Sequence, residues 1–168
     1  MRYFIILILT TIFLFIPKPE FLSDMDSFFW MRATAGQFFH ANIFHLILNC
    51  MAVWNLFKVT PYRNARTIAT RSLIAFVIAT LSYSVAFRPV IGISNLLFAM
   101  IGMSTPALSH QWWKLRNTKV FLAVMVASLA LPMLSATTHI FSFTCGTLVA
   151  IVTRQIDKLS NDVRRASI

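Results

Sequence analysis

Five side chains in this 168-residue sequence are of types that carry nucleophilic chemistry, and their spacing can be set against a helix. The stretch Phe38-Phe39-His40-Ala41-Asn42-Ile43-Phe44-His45-Leu46-Ile47-Leu48-Asn49 holds two histidines and a late asparagine in an otherwise apolar run. At about 100° per residue, His45 and Asn49 stack on one helical face a turn apart. His40 lies about 7.5 Å nearer the start of the run if the segment is helical there. Further on, Gly92-Ile93-Ser94-Asn95-Leu96-Leu97-Phe98 presents Ser94, with no other hydroxyl before Ser104. Gly92 can take backbone angles that other residues resist, which suits an abrupt entry into a helix beside a reactive group. His139 opens a later apolar run. A hydroxyl, an imidazole base and two hydrogen-bond donors are the parts of acyl transfer.

Each group also has a plain packing role. A serine in a membrane helix bonds its own i−4 carbonyl. A His/Asn pair at i, i+4 can join two helices at about 0.6 kcal/mol per contact. Three histidines, His40, His45 and His139, also fit a metal or haem site, but no carboxylate or nearby thiolate accompanies them. The chemical reading rests on coincidence of depth, and that depends on the elements carrying the groups.

A helix needs roughly 17–25 mostly apolar residues to cross the hydrocarbon core. Six runs qualify, at about 3–17, 38–57, 72–88, 91–109, 118–136 and 139–153. The first is short like a signal-peptide core, but no A-x-A-like site follows, and Pro17 and Pro19 fit a helix exit. With a cytoplasmic N-terminus, twelve basic residues fall inside: Arg2, Lys58, Arg63, Arg66, Arg71, Lys114, Arg116, Lys119, Arg154, Lys158, Arg164 and Arg165. Only Lys18, Arg32 and Arg88 fall outside, so both termini are expected to be cytoplasmic. Ser94, His45, Asn49 and His139 then share one level near the outer face. No span carries a carboxylate, which excludes a paired-aspartate intramembrane protease, and no HExxH occurs.

Composition excludes other classes. With 58% apolar and 12% charged residues the chain departs from soluble enzymes and from disordered tails alike. A net charge of +10 would suit nucleic acid on a polar domain, but these charges sit in gaps between apolar runs, so no nucleic-acid partner is expected. The basic tail from Arg154 to Ile168 reads as solvated, with contact to anionic lipid as a secondary role. Cys50 and Cys145 read as small buried hydrophobes without zinc spacing, and His110 as a residue of the membrane boundary. The loops leave no room for a second domain, so residues 1–168 are expected to form a single membrane domain.

These motifs resemble the rhomboid intramembrane serine proteases over about residues 30–146. Trp30-Met31-Arg32 is similar to the family's Trp-Arg with one residue inserted. His40, His45 and Asn49 match its His-x4-His-x3-Asn. Gly92-Ile93-Ser94 matches Gly-x-Ser, followed by an aromatic at Phe98 and a glycine at Gly102, and His139 with Gly146 matches the final His-x6-Gly. The resemblance implies an all-α, six-transmembrane-helix bundle and a Ser94–His139 dyad without a carboxylate. His139 would act as base, and the Ser94 N–H, His45 and Asn49 would form an oxyanion hole. His40 would organise the nearby outer segment, Gly92 the turn, and Phe98 the ring of His139. The family's Tyr is often found at that aromatic position.

The implied substrate is the transmembrane helix of another protein in the bilayer, cut near its outer end where helix-breaking residues expose a carbonyl. No cofactor and no metal are implied. The external segment from Lys18 to Gln37, with Phe28-Phe29-Trp30 at headgroup level, is expected to dip into the membrane. Two positions depart from the family, Asn95 and Ser142, where glycine is usual. An Asn95–Ser142 hydrogen bond would bridge a slightly wider helix gap. A gap too wide for Ser94 to meet His139 would leave the alternative, a catalytically inactive rhomboid-like protein that binds transmembrane clients. The lack of a soluble domain or transit-like presequence points to a multi-pass protein of a bacterial plasma membrane.

Overall fold

Apolar side chains alone do not make a bundle. In lipid the backbone must also satisfy its own N–H and C=O groups, which a helix does within one segment. The structure, a computed structural model, describes residues 2–17, 29–59, 64–86, 90–105, 126 and 136–166, and no strand occurs among them. The helices are α1 (Arg2–Phe15), α2 (Phe29–Ala35), α3 (Ile43–Val59), α4 (Ala65–Leu81), α5 (Ser94–Ser104) and α6 (Ala136–Ala166). Short 3-10 turns follow α2, at Gly36–Phe38, and α4, at Ser82–Val85. Of the six expected spans, two are met at full crossing length, Ala65–Val85 and Ala136–Val163, while α1, α3 and α5 are apolar but shorter. The expected span at 118–136 lies outside the described residues except Val126 and Ala136, and His110 lies outside them too.

Three boundaries differ from the hydropathy reading, each for a local reason. The second run, expected from 38, becomes helical only at Ile43, because Asn42 caps α3: the His45 N–H donates to Asn42 Oδ1 at 2.9 Å. His40 is therefore left in the stretch before the helix, where Phe39 is extended. α4 starts at Ala65 rather than near 72, with Asn64 Oδ1 accepting from the Arg66 N–H at 2.8 Å. Arg66 and Arg71, expected in a loop, are helix residues. Long basic side chains lie along a helix and still reach polar partners. Arg71 does so by donating to the Met103 carbonyl near the end of α5, 3.1 Å away. α6 runs on to Ala166, so the basic tail, expected as a solvated extension from 154, is a continuation of the last helix.

α5 forms the centre. Leu97, Phe98 and Met103 pack with Leu46, Val53 and Leu56 of α3, with Ala75 and Ile78 of α4, and with Leu9 of α1. Leu9 makes α1 a working part of this core, and Tyr3 meets Trp54 of α3 edge-on at 5.2 Å. Large apolar side chains such as Phe44, Leu73, Val77 and Leu148 face outward, as lipid contact requires and water would penalise.

The approach of α5 to α6 is set by glycine. A Cβ on Gly102 would lie 2.2 Å from the Phe143 carbonyl oxygen, and one on Gly146 would lie 2.2 Å from that of Ala99. The two backbones thus touch at two levels, which only small residues permit.

Candidate active site

Ser94 is the first residue of α5 and His139 lies in the first turn of α6, so the close α5–α6 contact sets where both side chains begin. Ser94 Oγ is 2.9 Å from His139 Nε2. The serine hydroxyl can donate to a ring protonated on its other nitrogen, the arrangement that lets imidazole accept a proton. His139 is 1% exposed, and its Nδ1 has no hydrogen-bond partner among the described residues. Its orientation comes instead from Phe98, whose ring stacks on the imidazole at 4.3 Å between centroids and 9° between planes.

The turn before Ser94 is built around Gly92, whose φ is +103°. Its amide donates to the Gly36 carbonyl at 2.9 Å, tying the turn to the segment after α2. Space enforces glycine as well as φ. A Cβ here would lie 2.6 Å from His45 Cε1, 2.8 Å from His45 Nε2 and 3.3 Å from Asn49 Nδ2. The His45 ring and the Asn49 amide therefore close around the approach to Ser94. Both His45 Nε2 and Asn49 Nδ2 are buried without a hydrogen-bond partner among the described residues. The Ala41 N–H makes a long contact of 3.5 Å to His45 Nδ1. That leaves the ring proton on Nε2, the nitrogen beside Gly92. The Ser94 N–H belongs to the first turn of α5, where amides have no partner inside the helix. The His45 ring and the Asn49 amide thus flank the Gly92 turn that leads into Ser94.

His40 is buried beside this group, its ring 5.2 Å from that of His45 and inclined at 67°. It does not reach the Ser94–His139 pair through any hydrogen bond among the described residues. Among those residues no three His, Cys, Asp or Glu side chains come together as a metal-ligand set. Trp30 and Met31 are exposed on α2, while Arg32 is buried beside them. Phe28 lies outside the described residues.

Asn95 and Ser142 behave differently from expectation. The Asn95 oxygen accepts from Thr138 Oγ1 at 3.0 Å, not from Ser142. Asn95 Nδ2 and Ser142 Oγ are both buried without a hydrogen-bond partner among the described residues. The reason is register: Thr138 sits one turn before Ser142 on α6 and takes the place nearest Asn95. The α5–α6 gap stays closed because the glycines at 102 and 146 set it, lower down the helices.

Several contributors escaped the sequence reading. Gln37, buried, donates to the Ala33 carbonyl at 3.0 Å and to Thr80 Oγ1 at 3.1 Å, fastening the Gly36 turn to α4. Tyr83 donates to the Val90 carbonyl just before Gly92. Neither residue stands at a telling spacing, and only the extra polarity of Gln37 in an apolar stretch was available as a signal. Asn42, by contrast, carried an N-cap signal directly before an apolar run.

No match was found among the curated proteins or among the solved structures. The Rhomboid domain family profile matches residues 27–156, from the start of α2 into the extended part of α6 and including every candidate site residue. The chain is a helical membrane protein that belongs to the rhomboid family.

Proposed function

We propose that the protein is an intramembrane serine endopeptidase that cuts transmembrane helices of other proteins near the outer membrane face. The observation that carries this reading is the 2.9 Å contact between Ser94 Oγ and His139 Nε2, held by a stacked Phe98. In the proposed reaction Ser94 Oγ attacks the scissile carbonyl while His139 Nε2 takes its proton. The tetrahedral oxyanion is met by the Ser94 N–H, His45 Nε2–H and the Asn49 amide. His139 then returns the proton to the leaving amine, and an ester remains on Ser94. A water molecule, its proton taken by the same nitrogen, hydrolyses that ester. Phe98 replaces the orienting carboxylate of a triad, since ring stacking fixes the imidazole plane without adding a charge at membrane depth.

The proposed topology has six spans with both termini in the cytoplasm, in a bacterial plasma membrane, which puts Ser94 and His139 at the wetter, outer ends of their helices. The substrate must present an unwound segment there, because an intact helix keeps its carbonyls in i→i−4 bonds.

Detergent-purified protein should react with a fluorophosphonate serine-hydrolase probe, while Ser94→Ala and His139→Ala, folded by their melting curves, should not. An unlabelled but well-folded wild type would favour the client-binding, non-proteolytic reading. Equal labelling of all three would place the reactive nucleophile elsewhere.

A further inference from the structure

α5 begins without the side-chain cap that commonly fixes a helix start. Ile93 stands at the cap position and offers no side-chain bond to the first amides. The place of Ser94, the first helical residue, is therefore set by what holds the turn before it. Among the described residues two hydrogen bonds from outside do so. On one side the Tyr83 hydroxyl, in the 3-10 turn after α4, donates to the Val90 carbonyl. On the other the Gly92 amide donates to the Gly36 carbonyl at 2.9 Å.

The Gly36 carbonyl is in turn held by its neighbour. Gly36 and Gln37 share one 3-10 turn, in which the Phe39 N–H donates to the Gly36 carbonyl at 3.3 Å. The Gln37 side chain, 1% exposed, ties that turn down at two points, the Ala33 carbonyl of α2 and Thr80 Oγ1 of α4. We propose that Gln37 is a positioning residue for Ser94. Through Thr80 on one side and the Gly36 carbonyl on the other, it holds the Gly92 turn where Ser94 meets His139. The proposal rests on the protease reading of Ser94 and adds to it a residue that touches neither the substrate nor the dyad.

Three features select positioning over packing. Burying an amide costs stability unless its groups are bonded, and Gln37 Oε1 is buried without a hydrogen-bond partner among the described residues. A methionine would fill the same space without that cost, so packing alone does not select glutamine. Second, Gln37 Nε2 spends its two protons on two different helices, which fixes direction as well as distance. Third, the Ser94 turn joins two separate apolar clusters. Val90 packs with Ala33 and Tyr83 in one, while Ile93 and Leu97 belong to the core around α5. Apolar contact is non-directional and does not set how two clusters are aligned. The bonds of Gln37 and Tyr83 supply that alignment from the end of α4.

The test follows fluorophosphonate labelling of the full chain in detergent across probe concentrations, which separates the maximal labelling rate from the probe's apparent affinity. Gln37→Met with Thr80→Val removes both partners of the buried bond while keeping their shapes, a change that is nearly neutral for folding. Its maximal rate should fall by about 10- to 100-fold, as a small misplacement of a reacting group costs, with apparent affinity within about twofold. Its melting temperature should be no lower than that of the wild type. Thr80→Ser, which keeps the hydroxyl, should label at the wild-type rate. A double variant with the wild-type maximal rate overturns the proposal. Slowing that comes with a lower melting temperature makes Gln37 structural and overturns it too, as does equal slowing in Thr80→Ser. Hydrogen exchange at the Gly92 amide, followed by NMR, reads the same strut without activity and should quicken by at least about tenfold in the double variant. An unlabelled wild type with that quickening would uphold the strut and sink the protease reading, whereas unlabelled wild type with unaltered exchange would sink both.

Discussion

In the proposed site Phe98 and Gly92 act on Ser94 and His139 through shape alone, and that makes them sharper probes than the proposed dyad itself. Replacing Phe98 by Leu keeps most of the volume but removes the ring that lies flat on His139 at 4.3 Å. Labelling by the fluorophosphonate should slow by about tenfold, less than the 10²–10⁴-fold that a general base contributes, because the base is kept and only its aim is lost. Phe98→Tyr, which keeps the ring, should label at close to the wild-type rate, and equal slowing in both would mean that the stacking is incidental. Gly92→Ala demands more, because the new methyl meets His45 and Asn49 at a φ of +103°. It should abolish labelling even where the melting curve shows a folded protein. Asn49→Ala removes one proposed oxyanion donor without touching Ser94 or His139. Its expected cost is about 10²–10³ in acylation rate with unaltered folding, and a loss under threefold would remove Asn49 from the proposed oxyanion hole.

The distance between Ser94 and His139 is a property of two helices, and glycine at 102 and 146 fixes it. Gly146→Val should force α5 from α6, destabilise the protein by about 1–3 kcal/mol through overpacking, and eliminate labelling. Asn95→Ala should leave labelling intact, because Asn95 meets Thr138 at the edge of a gap set elsewhere. If Asn95→Ala fails to label while remaining folded, the gap is controlled at its top and the glycine argument is wrong. This is also where the sequence was least informative. The histidines, Asn49, Ser94 and the glycines were legible because polar or small residues stand out in apolar runs. Thr138, Gln37 and the Gly36 carbonyl were not, since hydrogen bonds to a partner 43 residues away, or to the backbone, leave no periodicity. Helix ends were misplaced wherever a cap or an arginine decided them: Asn42 delayed α3, Asn64 advanced α4, and nothing in hydropathy marked the continuation of α6 beyond 153.

At the scale of the whole molecule the charges make the argument, because twelve basic residues fall to one side of the expected topology and three to the other. That bias orients a membrane protein through its short loops. The proposed six-span topology also implies an even number of crossings between two particular points on the chain. Asn64, at the start of α4, and Asn161, in the extension of α6, are both exposed, and Met31 is exposed on α2. With α4, α5, the run at 118–136 and α6 all crossing, Asn64 and Asn161 must share a side, and with α3 crossing as well, Met31 must lie opposite. In the background lacking Cys50 and Cys145, Met31→Cys should react with a membrane-impermeant maleimide on intact cells, while Asn64→Cys and Asn161→Cys should react only after permeabilisation. Asn161→Cys reacting from outside while Asn64→Cys does not would mean an odd number of crossings between them. The run at 118–136 would then not span, His139 would enter from the opposite face to Ser94, and the dyad would be impossible. The outcome therefore bears on the chemistry as directly as on the topology: a shared side for Asn64 and Asn161 is the condition under which Ser94 and His139 can both start their helices at the outer face.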